Sequence, residues 1–280
     1  MLINQVICGD CANIMATWPD ECIDLTVTSP PYDNLRTYNG YTFNFEAIAQ
    51  QLYRITKQGG VVVWVVADQT VNGSETGTSF KQALYFKEIG FNLHDTMIYH
   101  KNNPPPVGNT NRYFQSFEYM FVFSKGSPSL NSITEPRRNK HNDKRLSRLR
   151  PVTRNEKGEF VTKTVFANEI VKLQNVWSYI VSGGATSDDK NSHQHPAIFP
   201  EQLAHDHIIS WSNEHDIILD PMCGSGTTLI AAIKTNRNFI GIDISQEYCN
   251  LTKTRVNNLL AQTTLNFEGN INYVTLKETL

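Results

Sequence analysis

The sequence Asp220-Pro221-Met222-Cys223-Gly224-Ser225-Gly226-Thr227-Thr228 lies between two apolar runs. The run before it, Asp216 to Leu219, has the pattern of a buried strand, and the run after it, Leu229 to Ile233, that of a helix. A glycine-rich turn from a strand into a helix offers free backbone N–H groups and the positive end of the helix dipole to a carboxylate or phosphate. Glycine also allows the backbone to approach a ligand closely. The stretch therefore predicts a cofactor-binding turn in an α/β fold.

The next strand pattern, Phe239 to Ile242, ends in Asp243. An acidic residue at this position binds the hydroxyl pair of a ribose in doubly wound folds. The turn is not the GxGxxG motif of dinucleotide-binding folds, and it lacks the lysine of a phosphate-binding loop. A nucleoside triphosphate is therefore disfavoured. A plain α/β turn would explain the glycines but not the acid, so cofactor binding is the favoured interpretation.

A second motif, Ser29-Pro30-Pro31-Tyr32, follows the strand pattern Ile23 to Thr28. Its two prolines fix φ and leave only carbonyl acceptors in a stiff backbone. Ser29 Oγ and the Pro30 carbonyl could accept both hydrogens of the exocyclic amino group of a base. The ring of Tyr32 offers a flat face on which a base taken out of the duplex can stack. Judged by itself, the motif fits a rigid turn with a structural tyrosine equally well.

In this order the motifs resemble the DNA amino-methyltransferases that use S-adenosylmethionine, in the permuted group often called beta. In that family a Ser/Asp/Asn-Pro-Pro-Tyr tetrapeptide comes first, then a DNA-reading segment, then the cofactor half. His195-Pro196-Ala197-Ile198-Phe199-Pro200-Glu201-Gln202-Leu203 resembles the family's HPAxFPExL element, which helps to bind the methionine end of the cofactor. Val6-Ile7-Cys8-Gly9-Asp10-Cys11 resembles its GDC element, whose aspartate lies near the cofactor adenine. The resemblance covers nearly the whole chain.

The resemblance implies a Rossmann-like, doubly wound, mostly parallel α/β sheet of the class I methyltransferase type, with an inserted target-recognition segment. It implies direct transfer of a methyl group from S-adenosylmethionine to the exocyclic amino group of a flipped base. The catalytic residues would be Ser29, Pro30, Pro31 and Tyr32. The cofactor-binding residues would be Asp10, His195, Pro196, Ala197, Asp220, Pro221, Cys223, Gly224, Gly226, Thr227, Thr228 and Asp243. Serine at the first tetrapeptide position is common in relatives that act on cytosine, so N4 of cytosine is favoured and N6 of adenine is the alternative.

The formal net charge of −2 does not indicate a nucleic-acid partner, but the charge distribution does. Between Asn131 and Lys163 the chain carries ten basic and four acidic residues. Such a segment can replace counterions along a phosphate backbone, although charged runs are more often solvated loops. Its place between the two half-sites favours DNA binding. Two segments that lead into it, Asn102-Asn103-Pro104-Pro105-Pro106 and Tyr113-Phe114, are expected to contribute to the cleft. The expected DNA-binding residues are Arg137, Arg138, Lys140, Lys144, Arg145, Arg148 and Arg150.

Four segments follow from these assignments. Residues 1–100 form the catalytic half, 101–176 the target-recognition insert with flanking strands, 177–261 the cofactor-binding half, and 262–280 a terminal extension. The apolar patterns predict strands near Val6-Ile7, Leu25–Val27, Val61–Val66, Thr96–Tyr99, Tyr119–Phe123, Ile217–Leu219 and Ile240–Ile242. They predict helices over Phe45–Ile55, Ser79–Ile89, Phe199–Ser210 and Thr227–Lys234.

Several classes of protein are disfavoured. The longest apolar run, Gly60 to Ala67, is too short to span a bilayer, and no leader with a cleavage site opens the chain, so a cytoplasmic protein without a membrane partner is expected. The five cysteines lack metal-like spacing beyond the single CxxC of Cys8 and Cys11, and the paired histidines lack further ligands, so no metal is expected. The expected partner is double-stranded DNA, with a second copy of the chain and a cognate restriction endonuclease as further candidates.

Three other functions stay open at this point. An RNA or protein amino-methyltransferase could use a similar tetrapeptide, and competition between DNA, RNA and glutamine peptides would separate them. A catalytically silent DNA-binding module could keep the fold, although both half-sites look intact. A dinucleotide oxidoreductase is weaker still, because the turn departs from GxGxxG.

Overall fold

The computed structural model describes residues 1–31, 43–104, 111–136, 152–154, 158, 160–162, 170–181 and 200–267. The chain divides into two compact units. One comprises Met1–Asn131 with Asn175–Leu280, and the other comprises Ser132–Gln174.

The larger unit contains one main sheet, a small hairpin and six described helices. The strands of the sheet are β1 (Gln5–Cys8), β2 (Ile23–Thr28), β3 (Thr56–Val66), β6 (Asn92–Lys101), β7 (Phe117–Ser124), β12 (Val176–Tyr179), β13 (Ile217–Asp220) and β14 (Asn238–Asp243). The hairpin strands are β4 (Thr70–Val71) and β5 (Ser74–Glu75). The helices are α1 (Cys11–Ala16), α2 (Phe45–Ile55), α3 (Thr78–Glu88), α4 (Glu201–Trp211), α5 (Thr227–Lys234) and α6 (Gln246–Phe267).

The strands of the main sheet lie in the order β1-β14-β13-β2-β3-β7-β6-β12. The first five are mutually parallel, β7 is antiparallel to β3 and β6, and β12 is parallel to β6. The predicted mostly parallel α/β sheet is therefore confirmed. Because parallel strands point the same way, the carboxyl ends of β1, β14, β13, β2 and β3 meet at one edge, which we call the catalytic edge.

The core around β3 is built from an uninterrupted apolar run. Every residue from Val61 to Val66 is at most 1% exposed, as expected of a central strand covered on both faces. The Trp64 indole N–H donates to Gln82 Oε1 at 2.8 Å, which satisfies its single buried polar group. The ring of Trp64 packs edge-on against Phe45 and Phe86, with centroids 5.9 and 5.2 Å away. Aromatic side chains from α2 and α3 thus fix both helices on the sheet.

The predicted helices agree closely with the structure. Two of them, Phe45–Ile55 and Thr227–Lys234, have the predicted bounds, and the other two begin and end within two residues of the prediction. Helices α1 and α6 and strand β12 were not predicted. Helix α6 runs on to Phe267 and so includes the first residues of the predicted terminal extension, 262–280.

The smaller unit contains two antiparallel strand pairs in its described part. Strand β8 (Thr134–Pro136) pairs with β11 (Ile170–Lys172), and β9 (Val152–Arg154) pairs with β10 (Phe160–Thr162). The seven residues expected to bind DNA, Arg137, Arg138, Lys140, Lys144, Arg145, Arg148 and Arg150, lie outside the described residues. Over the described ranges of the whole chain, no helix combines the length and apolarity needed to cross a bilayer.

Candidate functional site

The sheet register brings the predicted site residues to the catalytic edge. Cys8 lies opposite Asp243, and Asp220 lies opposite Gly241 on the same strand as Asp243. Strand β2 lies next to β13 and delivers Thr28, the residue before the tetrapeptide. Motifs that are far apart in the sequence therefore end side by side.

The glycine-rich turn between β13 and α5 depends on two left-handed residues, Gly224 (φ 50°) and Gly226 (φ 80°). Gly226 is the N-cap of α5, and no side chain caps the helix. Thr252 of α6 supports the turn from behind, since its hydroxyl donates to the Gly224 carbonyl at 2.7 Å. The backbone N–H groups of the first turn of α5 are thus available to an anionic ligand.

Asp243 connects the turn to the end of β14. Its carboxylate accepts hydrogen bonds from Gly224 N and Ser245 N, both at 2.8 Å. Burial raises the pKa of this carboxyl, and these backbone bonds act in the opposite direction. Each carboxylate oxygen has a second lone pair. Asp243 can therefore hold the turn and still accept the hydroxyl groups of a ribose.

Asp220, which was predicted to bind the cofactor, is buried beneath the turn. It is 2% exposed, and its carboxylate accepts the hydroxyl groups of Thr28 at 2.8 Å and Thr228 at 2.7 Å and the backbone N–H of Met222 at 3.2 Å. Burial raises its pKa from 3.8 to about 6, although these hydrogen bonds favour the charged form. In the structure Asp220 joins the end of β2 to the glycine-rich turn and the start of α5. Its contact with the cofactor stays a prediction.

Asp220→Asn is expected to be at least as stable as the wild type near neutral pH. The new amide could donate to Thr228 Oγ1, whose own hydrogen can go to the Val27 carbonyl 3.2 Å away. In the wild type the folded state keeps a proton on Asp220 up to about pH 6, above the 3.8 of the ordinary carboxyl. Protonated Asp220 therefore stabilises the wild type fully below about pH 3.8. Between pH 3.8 and about pH 6 this stabilisation decreases by about 1.4 kcal/mol for each pH unit, and it is lost above pH 6.

Urea unfolding of both proteins between about pH 4 and pH 8 measures this effect. The free energy of unfolding of Asp220→Asn minus that of the wild type should increase with pH and level off above about pH 6. Asp220→Ala is the matched control, because it removes the acceptor of the Thr28 hydroxyl and of Met222 N and leaves the Thr228 hydroxyl only the Val27 carbonyl. It should be destabilised at every pH. A difference between Asp220→Asn and the wild type that does not change with pH would contradict the buried, titrating carboxyl.

Asp10 lies beside Asp243 at the end of β1. The preceding Gly9 has a φ of 151° and donates its N–H to the Asp243 carbonyl at 2.9 Å. Asp10 is the N-cap of α1 and accepts from Asn13 N at 2.8 Å. This bond uses one carboxylate oxygen, Oδ1, so Asp10 retains acceptor capacity at the position that the family resemblance assigns to the adenine.

The described part of the tetrapeptide continues β2 at the catalytic edge. Pro30 is buried, and Ser29 and Pro31 are half-buried. Thr28 is completely buried and bonded to Asp220, which fixes the direction in which the chain leaves the strand. Tyr32, His195, Pro196 and Ala197 lie outside the described residues.

Of the remaining predicted cofactor residues, Cys223, Thr227 and Thr228 are buried in or under the turn. Burial raises the pKa of the Cys223 thiol well above its usual value, which keeps the thiol neutral. Three residues whose side chains support the turn or the end of β2 were not predicted as site residues: Thr28, Thr252 and Arg255. A polar residue at the end of the buried β2 pattern was the available signal for Thr28, whereas none marked the other two.

The residues at this edge fit a cofactor that combines a ribose with an anionic group. Thr227 Oγ1 is buried without a hydrogen-bond partner among the described residues, at the first position of an uncapped helix. The Asp243 carboxylate has lone pairs left with which it can accept ribose hydroxyls. Among the same residues, no group of three or more histidine, cysteine, aspartate or glutamate side chains is placed to hold a metal ion. The buried His207 packs against Trp177, and burial lowers its pKa to about 3.

The chain is similar to known proteins both in sequence and in fold. Residues 23–254 match the family model described as DNA methylase. The orphan methyltransferase M.BamHII of Bacillus amyloliquefaciens is 54% identical over 244 residues, covering 86% of this chain and 91% of the relative. The Type II methyltransferase M.BglII of Bacillus subtilis is 24% identical over 260 residues, covering 89% of this chain and 68% of the relative.

Two solved structures share the fold. The DNA modification methylase TTHA0409 of Thermus thermophilus, complexed with S-adenosyl-L-methionine, aligns with a TM-score of 0.60 and 22% identity, covering 92% of this chain and 96% of that one. The PvuII DNA methyltransferase, described as cytosine-N4-specific, aligns with a TM-score of 0.64 and 17% identity, covering 94% of this chain and 93% of that one. The predicted Rossmann-like methyltransferase fold is therefore confirmed.

Proposed function

Because this chain belongs to the DNA methylase family of N6 and N4 amino-methyltransferases, and is thus an S-adenosylmethionine-dependent DNA methyltransferase, we propose that it methylates N4 of cytosine. The observation that carries the proposal is Ser29, which leads the Ser-Pro-Pro-Tyr motif at the catalytic edge. Serine at this position is common in the relatives that act on cytosine. N6 of adenine is the alternative.

We assign the cofactor to the turn between β13 and α5. Asp243 would accept the ribose hydroxyls, Asp10 would lie near the adenine, and the first turn of α5 with Thr227 would bind the amino-acid end. The sequence elements of His195, Pro196 and Ala197 are assigned to the methionine end by resemblance alone. S-adenosylmethionine supplies a methyl group already activated by a sulfonium leaving group.

The protein's own part in the reaction is to position the base and to stabilise charge. Ser29 Oγ and the Pro30 carbonyl would accept the two hydrogens of the amino group, which directs the nitrogen lone pair toward the cofactor. As the N–CH3 bond forms and the S–CH3 bond breaks to leave a neutral thioether, the nitrogen would acquire positive charge that these same acceptors stabilise. The methylated nitrogen would then lose one proton to solvent. Tyr32 would stack on a base that has left the duplex. The Asp220–Thr28 bond keeps this half of the site in register with the glycine turn.

The remaining assignments rest on the sequence. Arg137, Arg138, Lys140, Lys144, Arg145, Arg148 and Arg150 are proposed to contact the DNA backbone within a target-recognition insert. The beta-group order, the cytoplasmic location, the homodimer and the cognate restriction endonuclease stay predictions. Because the relative M.BamHII is named an orphan methyltransferase, an enzyme without a cognate endonuclease is the alternative to the last of these predictions.

The experiment that tests the proposal is nucleoside analysis of methylated DNA. The purified protein is incubated with mixed-sequence duplex DNA and methyl-labelled S-adenosylmethionine, and the digested nucleosides are identified by mass spectrometry. Label in N4-methylcytosine supports the proposal. Label in N6-methyladenine would replace it with the alternative, and label only in a parallel RNA or glutamine-peptide sample would contradict both.

A further inference from the structure

A short hairpin follows β3 beside the catalytic edge. Strands β4 and β5 pair with Thr70 opposite Glu75 and Val71 opposite Ser74. The tip is formed by Asn72 (φ 49°) and Gly73 (φ 81°). Two successive residues with positive φ are typical of the type I′ turn, whose twist suits a two-residue hairpin. The hairpin is therefore a regular element of the fold.

The base of the hairpin is fixed to the rest of the unit. The Asp68 carboxylate accepts hydrogen bonds from the backbone N–H of Ser79 at 2.9 Å and from its hydroxyl at 2.5 Å. Arg112 donates to the Gly73 carbonyl near the tip and forms an ion pair with Glu75 at 3.8 Å. These contacts hold the hairpin from two directions, so its tip is presented in a defined orientation.

The tip itself is open to solvent. All residues from Thr70 to Glu75 are exposed, with Val71 at 46%, and a Cβ added at Gly73 would meet no atom within 4 Å. The two residues that follow Arg112, Tyr113 and Phe114, are 102% and 58% exposed. We call Val71, Asn72, Tyr113 and Phe114 together the hairpin surface. It combines apolar and aromatic side chains with one amide, next to the charge pair of Arg112 and Glu75.

The position of the hairpin connects it to the reaction. Thr28, at the end of β2, lies opposite Trp64 of β3. Strand β3 therefore continues past the end of β2, and the hairpin begins beyond the level of Ser29 and Pro30 on the neighbouring strand. A base held by the tetrapeptide would bring its flanking DNA to this side of the site.

We propose that the hairpin surface contacts the DNA next to the target base. Val71 would act there as an apolar wedge that holds open the base pair from which the target base has flipped. This inference rests on the proposed function, in which a flipped base enters the catalytic edge. Apolar side chains are used in this way by proteins that unstack DNA, and a two-stranded ribbon is narrow enough to enter the major groove. Exposed aromatic rings such as Tyr113 offer faces on which bases stack. DNA is chosen over a protein partner because the surface lies beside the substrate's own binding site.

The test compares Val71→Ala with Leu84→Ala, a matched loss of an exposed aliphatic side chain on α3, where Leu84 is 65% exposed. Each is assayed on a short duplex that contains the site methylated by the wild type, and on the same duplex with the target base mispaired. We expect kcat/KM of Val71→Ala to fall by about tenfold on paired DNA and to return to within about twofold of the wild type on mispaired DNA, because a mispaired base costs less to flip. Leu84→Ala should match the wild type on both.

Four outcomes would overturn the proposal. Three concern kcat/KM: no change for Val71→Ala on paired DNA, an equal loss for Val71→Ala on both duplexes, or an equal loss for Leu84→Ala. The fourth is a difference in molecular mass between Val71→Ala and the wild type in sedimentation, which would assign the surface to a second copy of the chain. A Tyr113→Ala variant gives an independent reading with the same two substrates. If the wild type methylates no DNA, the proposed function fails; if the wild type is active and Val71→Ala equals it, only the wedge fails.

Discussion

Gly226→Ala is expected to remove most S-adenosylmethionine binding and to destabilise the fold by about 2 to 5 kcal/mol. Gly226 has a φ of 80°, at which a side chain is strained. A Cβ at this position would lie 2.5 Å from Cγ2 of Thr252 on α6. The turn would therefore move away from the helix, and the N–H groups of the first turn of α5 would move with it. Loss of one hydrogen bond to a charged ligand group already reduces affinity by at least about tenfold.

Calorimetric titration and urea unfolding measure the two effects. The matched control is the double variant Gly226→Ala with Thr252→Ser, which removes the clashing methyl group and keeps the hydroxyl that donates to the Gly224 carbonyl. We expect it to recover part of both losses, since the strain of φ remains and the new Cβ would still lie 3.0 Å from Oγ1 and 3.2 Å from Cβ of residue 252. Thr252→Ser alone should bind S-adenosylmethionine as the wild type does and lose only about 1 kcal/mol of stability, because the missing methyl group is fully buried. A Gly226→Ala protein that is stable and binds S-adenosylmethionine normally would place the cofactor elsewhere.

Tyr32→Ala is expected to reduce methyl transfer by about a hundredfold or more while it leaves S-adenosylmethionine affinity within about twofold. The ring is assigned to the base, whereas the cofactor is assigned to Asp243, Asp10 and the glycine turn. Stacking of a base on an aromatic ring contributes about 1 to 3 kcal/mol. A base that is held loosely also loses its alignment with the methyl group, which adds to the reduction in rate.

Tyr32→Phe is the control for this variant, because it keeps the ring and removes only the hydroxyl. It should retain most of the activity if stacking is the function of the residue. Single-turnover methylation of DNA gives the rate, and calorimetry gives the affinity for the cofactor. Loss of cofactor binding in Tyr32→Ala, or equal inactivity of Tyr32→Phe, would contradict the assigned role.

Local patterns in the sequence were enough for most of the parallel half of the fold. Strand β3 is a continuous apolar run, and α2 and α5 have clear apolar periodicity, so their positions followed from the residues themselves. Helix α6 was missed for a physical reason. Its buried face includes Thr252 and Arg255, which donate to the carbonyls of Gly224 and Ser225. A helix that buries polar side chains against a turn lacks the apolar stripe by which helices are recognised.

The arrangement of the site depended on contacts between distant parts of the chain. The motifs marked the glycine-rich turn and the tetrapeptide as parts of one site, but not that Asp220 joins the turn to the end of β2. That link runs from Asp220 to Thr28, 192 positions away, and only the placement of β13 beside β2 brings the two together. The hairpin of β4 and β5 was missed because its strands have two residues each, too few for a pattern.

The most direct measurement is a crystal structure of the protein with S-adenosylhomocysteine, the product that remains after methyl transfer. We expect its ribose hydroxyls within hydrogen-bond distance of the Asp243 carboxylate and its amino-acid end at the first turn of α5, with the sulfur facing Ser29 and Pro30. A ligand bound away from the Gly224–Gly226 turn, with Asp243 making only its bonds to Gly224 and Ser245, would contradict the assignment of the catalytic edge.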